Sequence, residues 1–234
     1  AGRWFVCTDK AGGAEGGVSQ LGLGGEGAGS WEGLTCGGAG VGPDGRRWTV
    51  AGCSVSGTSR FFAYGPEVAG GVSVGAGDVN GDGKADIVTG PGAGGGPHVR
   101  AWSGVNFGEL FGFMAYAPNF TGGVFVAAGD LDGDGRAEII TGVGPGGGPH
   151  LRTFSNTGVP LSGGVMAGNP DFTGGITVAA GDLNGDNKAE IIVGAYSQTN
   201  KVKGFNADLS PMVAPDFAPY GSFGGGNWVA IGKA

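Results

Sequence analysis

The segment GDVNGDGKADIVTG, residues 77–90, places Asp78, Asn80, Asp82 and Asp86 within nine positions, spaced by Gly81 and Gly83. Carboxylates this close repel one another unless a cation sits among them, and alternating oxygen donors suit a hard divalent ion. The pattern returns as GDLDGDGRAEIITG at 129–142 and GDLNGDNKAEIIVG at 181–194, so Asp78, Asp130 and Asp182 stand 52 residues apart. The shared form is D-x-[DN]-x-[DN]-[GN]-x-x-[DE].

Side-chain oxygens at positions one, three, five and nine are the expected ligands. They are Asp78, Asn80, Asp82 and Asp86 in the first loop, Asp130, Asp132, Asp134 and Glu138 in the second, and Asp182, Asn184, Asp186 and Glu190 in the third. Position seven holds Lys84, Arg136 or Lys188. Each is expected to offer its main-chain carbonyl while its cationic side chain turns to solvent. Glycine at positions four and six lets the backbone coil through positive φ, and Asn187, which replaces the second glycine in the third loop, is the next most tolerant residue.

An EF-hand requires a bidentate Glu at position twelve and a helix after it. Thr89, Thr141 and Val193 stand there instead, inside strand-like DIVTG, EIITG and EIIVG. Flexible coordination by six to eight oxygens favours Ca²⁺ over Mg²⁺, so three calcium sites are expected. Ion-free Asx-rich turns are the plain alternative, and threefold recurrence at one spacing weighs against them. Ten of the 20 acidic residues lie in these loops, and three divalent ions bring the formal charge from −7 to −7 + 6 = −1. Glu26 and Glu32 in an eroded first unit, and Lys233 near the C-terminus, are expected to bind none.

The elements that must hold such loops repeat with them. Ahead of each loop is a Gly-Gly pair and an alternating apolar run: GGVSVGAGD from Gly70, GGVFVAAGD from Gly122 and GGITVAAGD from Gly174. Behind it come a glycine-rich turn and GPHVRAW, GPHLRTF or NKVKGF, and then an aromatic stretch, FMAY at 113, VMAG at 165 or FAPY at 217. Period-2 runs broken by Gly, Pro, Asp and Asn read as strands, and no stretch carries a helical period. In residues 70–121 the strands are expected at about 71–77, 86–90, 97–102 and 109–116.

Four short strands per unit, repeated, indicate an all-β fold, a β-propeller of four-stranded blades. The chain divides into an N-terminal strand segment 1–15, a degenerate repeat 16–69, repeats 70–121, 122–173 and 174–224, and a partial repeat 225–234, all within one domain 1–234. A surplus strand stands at each end. Either the two meet and close a ring, which is the favoured reading, or they pair with a neighbouring chain. A parallel β-helix or an open array of hairpins is the structural alternative.

These residues resemble FG-GAP/VCBS-type calcium-binding propeller repeats, as found in integrin α-subunit heads and many bacterial surface proteins. The resemblance is strong over 61–194 and weaker across 16–232. It implies a propeller fold, calcium ligands in the three loops and an extracellular role. The Phe-Gly and Gly-Ala-Pro elements are blurred to GPGAGGGPH and GVGPGGGPH, and integrin heads have seven blades, more than this chain supplies.

His98 and His150 share a repeat position with Lys201, followed two residues on by Arg100, Arg152 and Lys203; packing or pairing with acids is preferred to a ligand-binding ring. No G-x-S-x-G elbow is present, and chance G-x-G-x-x-G matches open no helix. Most aromatics recur with the period and are expected between blades, whereas Trp31 and Trp48 break it and are candidate sugar contacts. Asn119 heads an N-x-T sequon, NFT. Cys7, Cys36 and Cys53 have no metal-site spacing, and a disulfide, with Cys36–Cys53 the favoured pair, stays open.

Glycine accounts for 58 of 234 residues without collagen's period, so it serves turns and close packing. A net charge of −7 without a basic stripe excludes nucleic acid and anionic membrane as expected partners. There is no apolar run long enough to span a bilayer, and the Ala-Gly start fits a processed chain. The expected function is a secreted, non-enzymatic calcium-binding propeller for cell-surface adhesion, recognition or assembly, with a protein, a glycan or copies of itself as partner. A lectin, or a subunit of an extracellular fibre or surface layer joined through its end strands, is the alternative.

Overall fold

The computed structural model describes residues 61–65 and 68–231, and the backbone of strands β1 (Arg3–Thr8), β2 (Val18–Leu23), β3 (Ala39–Val41), β4 (Arg47–Thr49) and β5 (Ser59–Phe61). The sequence readings on Glu26, Trp31, Glu32, Cys36, Cys53 and Lys233, and on the side chains of Cys7 and Trp48, lie outside the described residues.

Three antiparallel four-stranded sheets follow in chain order. The first contains β6 (Val72–Gly77), β7 (Asp86–Pro91), β8 (His98–Trp102) and β9 (Glu109–Met114). In the second are β10 (Val124–Gly129), β11 (Glu138–Val143), β12 (His150–Phe154) and the short β13 (Val165–Met166). The third is built from β14 (Ile176–Gly181), β15 (Glu190–Ala195), β16 (Val202–Phe205) and β17 (Pro211–Phe217). Each is an up-and-down meander in strand order, and the described residues contain no helix. The four strands expected in residues 70–121 fall within two residues of β6 to β9.

The register repeats from sheet to sheet. Gly77 faces Asp86, Gly129 faces Glu138 and Gly181 faces Glu190, so every acidic loop is a connection closed by the same pair. Every residue of β7, β11 and β15 is buried, because each second strand is covered on both faces. Such strands read as nearly continuous apolar runs.

The core lies between sheets. Val88, Val99 and Ala101 of the first pack with Val124, Val126, Ile139 and Phe154 of the second. Ile140 and Leu151 pack in turn with Ile176, Val178, Ile191 and Val193 of the third. Phe113 meets Phe154 at 4.5 Å between ring centroids, as expected for the periodic aromatics, whereas Phe62 and Phe223, of the same recurring set, are exposed and lie outside the core.

Glycine permits this closeness at a repeated point. A Cβ on Gly90 would stand 2.5 Å from the Val124 carbonyl, and one on Gly142 would stand 2.3 Å from that of Ile176. At Gly194 the equivalent neighbour is the Asn227 carbonyl, 3.2 Å away. Asn227 also donates its amide to Ala195 and accepts from Thr177 Oγ1, so the segment after the third sheet lies where the first strand of another unit would pack.

At the other end β1 pairs antiparallel with β2, Arg3 opposite Leu23, and β2 pairs with β5; β3 and β4 form a separate hairpin. The N-terminal strand thus joins its own neighbourhood in the sequence. Among the described residues no pairing links it to the third sheet.

Candidate metal centre

The three acidic loops lie at the same end of successive sheets and are hydrogen-bonded to one another. Ala137 N–H donates to the Asp78 carbonyl at 2.7 Å, and Ala189 N–H donates to that of Asp130 at 2.6 Å. Position eight of each loop therefore rests on position one of the loop before it. Ala137 and Ala189 are buried as a result, while Ala85 is exposed.

Within a loop, position one holds the coil. Asp130 accepts the amides of Gly133 at 2.6 Å and Gly135 at 2.8 Å, one on each carboxylate oxygen. Asp78 does the same for Gly81 and Gly83, and Asp182 for Gly185 and Asn187. These donors hold the Asp182 carboxyl below the usual carboxylate range. The coil needs positive φ at positions four and six, as the sequence pattern implies: Gly133 has φ 86° and Gly135 88°, and Asn187 adopts 67°.

Position nine is the buried base of each loop. Asp86, Glu138 and Glu190 are at most 5% exposed, and each accepts the amide of the position-two residue: Val79 at 3.1 Å, Leu131 at 2.8 Å and Leu183 at 2.8 Å. Asp82, Asp134 and Asp186 are exposed and cap the amides of Lys84, Arg136 and Lys188.

Position three separates the loops chemically. In the second loop it is Asp132, and oxygens of Asp130, Asp132 and Glu138 converge within 4.8 Å of one another. Burial, and then the charges of Asp132, Asp134 and Asp130, hold the Glu138 carboxyl above its ordinary range, opposed by the Leu131 amide. In the first and third loops position three is Asn. There the amide nitrogen of Asn80 donates to Asp82 and Asp86, both at 3.2 Å, and that of Asn184 donates to Asp186 at 3.2 Å and Glu190 at 2.8 Å. A neutral donor between the acids softens a repulsion that the second loop leaves whole.

The position-seven side chains are exposed to solvent, as expected, and two of them also reach the preceding loop. Although solvent-accessible, Arg136 leans across Gly81 of the preceding loop, its Nε 2.7 Å from where a Cβ would stand. Lys188 leans over Gly133 in the same way, its Cε 3.6 Å from the equivalent point. Glycine at position four leaves room for the exposed cationic side chain of the next loop to pass over it.

The basic ring at the third strands is structural in the first two units. Arg100 Nη1 donates to the Ala63 carbonyl, and Arg152 Nη1 donates to that of Ala115 at 2.6 Å, each reaching back to the preceding aromatic turn. Arg100 also pairs bidentately with Glu109, whose carboxyl it holds below the usual range. Burial, followed by the charge of Arg100, pushes the His98 pKa down. Asn119 is exposed.

In the second loop, oxygen-only donors, left-handed turns at two fixed positions and a cluster of three carboxylates fit a divalent cation. One feature the sequence reading passed over is Trp228, in the eroded GGGNWVAIG. It lies edge-on to Phe125 at 5.4 Å and Tyr196 at 5.8 Å, yet is 74% exposed. Its replacement of Phe125 at the equivalent repeat position was the available signal.

The FG-GAP-like repeat family matches residues 78–141 and 130–193, which takes in all three loops and the sheets between them. The chain is an FG-GAP repeat protein. No curated protein matches it. Similar solved structures include rhamnogalacturonan lyase YesW, with TM-score 0.43 and 15% identity over 94% of this chain and 48% of that one. Others are the exotype rhamnogalacturonan lyase YesX (0.45, 17%, 91% and 43%) and a Bacillus licheniformis rhamnogalacturonan lyase (0.46, 15%, 91% and 44%). The chain spans under half the length of each. These matches correct the expectation that the protein is no enzyme: the solved structures it resembles are lyases, and a non-enzymatic role is not carried forward.

Proposed function

We propose that the protein is an extracellular calcium-binding module for recognition at a cell surface, with one Ca²⁺ in each of the three loops and sheets arranged radially in a β-propeller. The convergence of Asp130, Asp132 and Glu138 on one point carries this reading. The repeated loop architecture extends it to Asp78, Asn80, Asp82 and Asp86, and to Asp182, Asn184, Asp186 and Glu190; the carbonyls of Lys84, Arg136 and Lys188 complete the sets. Because each loop hydrogen-bonds to the next, ordering one supports its neighbour. At a hundredfold excess over Kd, each ion stabilises the fold by about 2.7 kcal/mol.

Calcium titrated into chelator-stripped protein is expected to raise the melting temperature and to bind at three equivalents by calorimetry, falling to two in Glu138→Gln. Absence of binding at millimolar calcium refutes the reading. Carbohydrate recognition is the second reading. Phe125, Tyr196 and the exposed Trp228 border a groove of about 580 Å³ along the first strands, and aromatic faces of this kind stack on sugars. A glycan array on the wild type and on Trp228→Ala tests it.

A further inference from the structure

The aromatic turns end on one repeat position, occupied by Tyr64, Tyr116, Gly168 and Tyr220. In the first two units the tyrosine enters the next sheet. Tyr64 lies with its hydroxyl 2.8 Å from the carbonyls of both Thr89 and His98; Tyr116 places its own 3.1 Å from that of Thr141 and 2.8 Å from that of His150. The Thr141 hydroxyl stands 3.1 Å from the Tyr116 oxygen, and Phe120 closes the edge of the ring at 6.3 Å.

The third unit changes this set together. Register places Val193 opposite Lys203 as Thr141 lies opposite Arg152, so Val193 replaces the threonine and Lys201 replaces the histidine. Phe172 stands where Phe120 does. Gly168 removes the tyrosine, and a cavity of about 370 Å³ is present, lined by Gly168, Phe172, Ile176, Val193, Lys201 and Lys203. Its lining includes the counterparts of the groups that surround Tyr116. The volume lies within the usual range for small-molecule sites, about 300–1,000 Å³.

We propose that this cavity binds a small hydroxylated aromatic ring, a phenol, in the space that Tyr64 and Tyr116 fill in their own units. The ring lies against Ile176, Val193 and Phe172. Its hydroxyl lies between the carbonyls of Val193 and Lys201, which share its single hydrogen as their counterparts, the carbonyls of Thr141 and His150, share that of Tyr116. The rim carries Lys201 and Lys203 against Asp171 and Asp216, so its charge balances and an uncharged ring is favoured.

Gly168 is the natural point of test. A Cβ there meets nothing closer than Pro149 Cγ at 3.9 Å, so a side chain can enter without displacing backbone. p-Cresol titrated into the full chain, followed by the amide shifts of Val193 and Phe172, is expected to bind saturably at millimolar concentration or tighter. Toluene, which lacks the hydroxyl, is expected to bind at least fivefold more weakly. Gly168→Tyr and Gly168→Leu are both expected to abolish p-cresol binding, and either one suffices should the other fail to fold. Equal affinity for toluene, undiminished binding in a folded Gly168 variant, or no saturable shift in the wild type overturns the proposal.

Discussion

Replacing Tyr116 with Phe removes one oxygen atom and leaves the ring, so the cost isolates the hydrogen bonds that tie the first sheet to the second. The hydroxyl serves the carbonyls of Thr141 and His150, and burial pushes its pKa well above the ordinary phenol value. An intramolecular hydrogen bond contributes about 1 kcal/mol net, and a buried acceptor left unpaired costs about 1–3 kcal/mol. No cavity term arises beyond one oxygen, so Tyr116→Phe is expected to cost about 1.5–3 kcal/mol. For a chain of this size that is about 3–12 °C in melting temperature. Urea unfolding followed by circular dichroism reads the loss directly, as a lower midpoint at unchanged slope. Tyr64→Phe should behave alike, since Tyr64 makes the same contacts with Thr89 and His98. In a double-mutant cycle with Thr141→Val, which copies the third unit, the second change should cost less once the phenol is gone. A loss below about 0.3 kcal/mol for Tyr116→Phe would mean that the two carbonyls find water, and the reasoning would fail.

Two other tests bear on packing and protonation. Gly142→Ala puts a methyl 2.3 Å from the Ile176 carbonyl and is expected to destabilise by about 1–3 kcal/mol or more, whereas Gly163→Ala, with nothing within 4 Å and no positive φ, should stay within about 0.5 kcal/mol; paired thermal melts decide. Because burial raises the pKa values of Tyr64 and Tyr116 in the fold, the unfolded chain ionises first as pH rises: stability is full below about pH 10 and falls above it, and the double Tyr→Phe variant should flatten that slope in melts across alkaline pH.

Much of the three repeats in residues 70–224 is legible in the residue order. Strand positions follow from period-2 runs punctuated by glycine, and β6 to β9 lie where that pattern puts them, because turn chemistry and pleat alternation act over a few residues. The coil of the acidic loops is equally local: Gly133 and Gly135 reach positive φ, and Asp130 caps the amides within five residues of itself. Arg136 and Lys188 are exposed as expected, but their passage over the preceding loop was not legible, since it depends on a glycine 55 residues earlier (136 − 81 and 188 − 133) that lies beneath each side chain only after the sheets stack. Nor was the contrast among the three loops foreseen. Asn and Asp both count as oxygen donors in a ligand pattern, yet the Asn80 and Asn184 amide nitrogens turn toward the acids, while Asp132 adds a third carboxylate.

The sequence by itself determined the unit: its length, its four strands and the closing pair around each acidic loop, all properties of neighbours along the chain. Tertiary structure alone decided how units meet. Ala137 and Ala189 bridge successive loops, Gly90 and Gly142 admit the next first strand, and the absence of a side chain at Gly168 leaves a cavity where Tyr64 and Tyr116 fill one. The reason is physical. A backbone conformation is set by forces that act within a few residues, but the worth of a missing or protruding side chain depends on what a separate sheet presents to it.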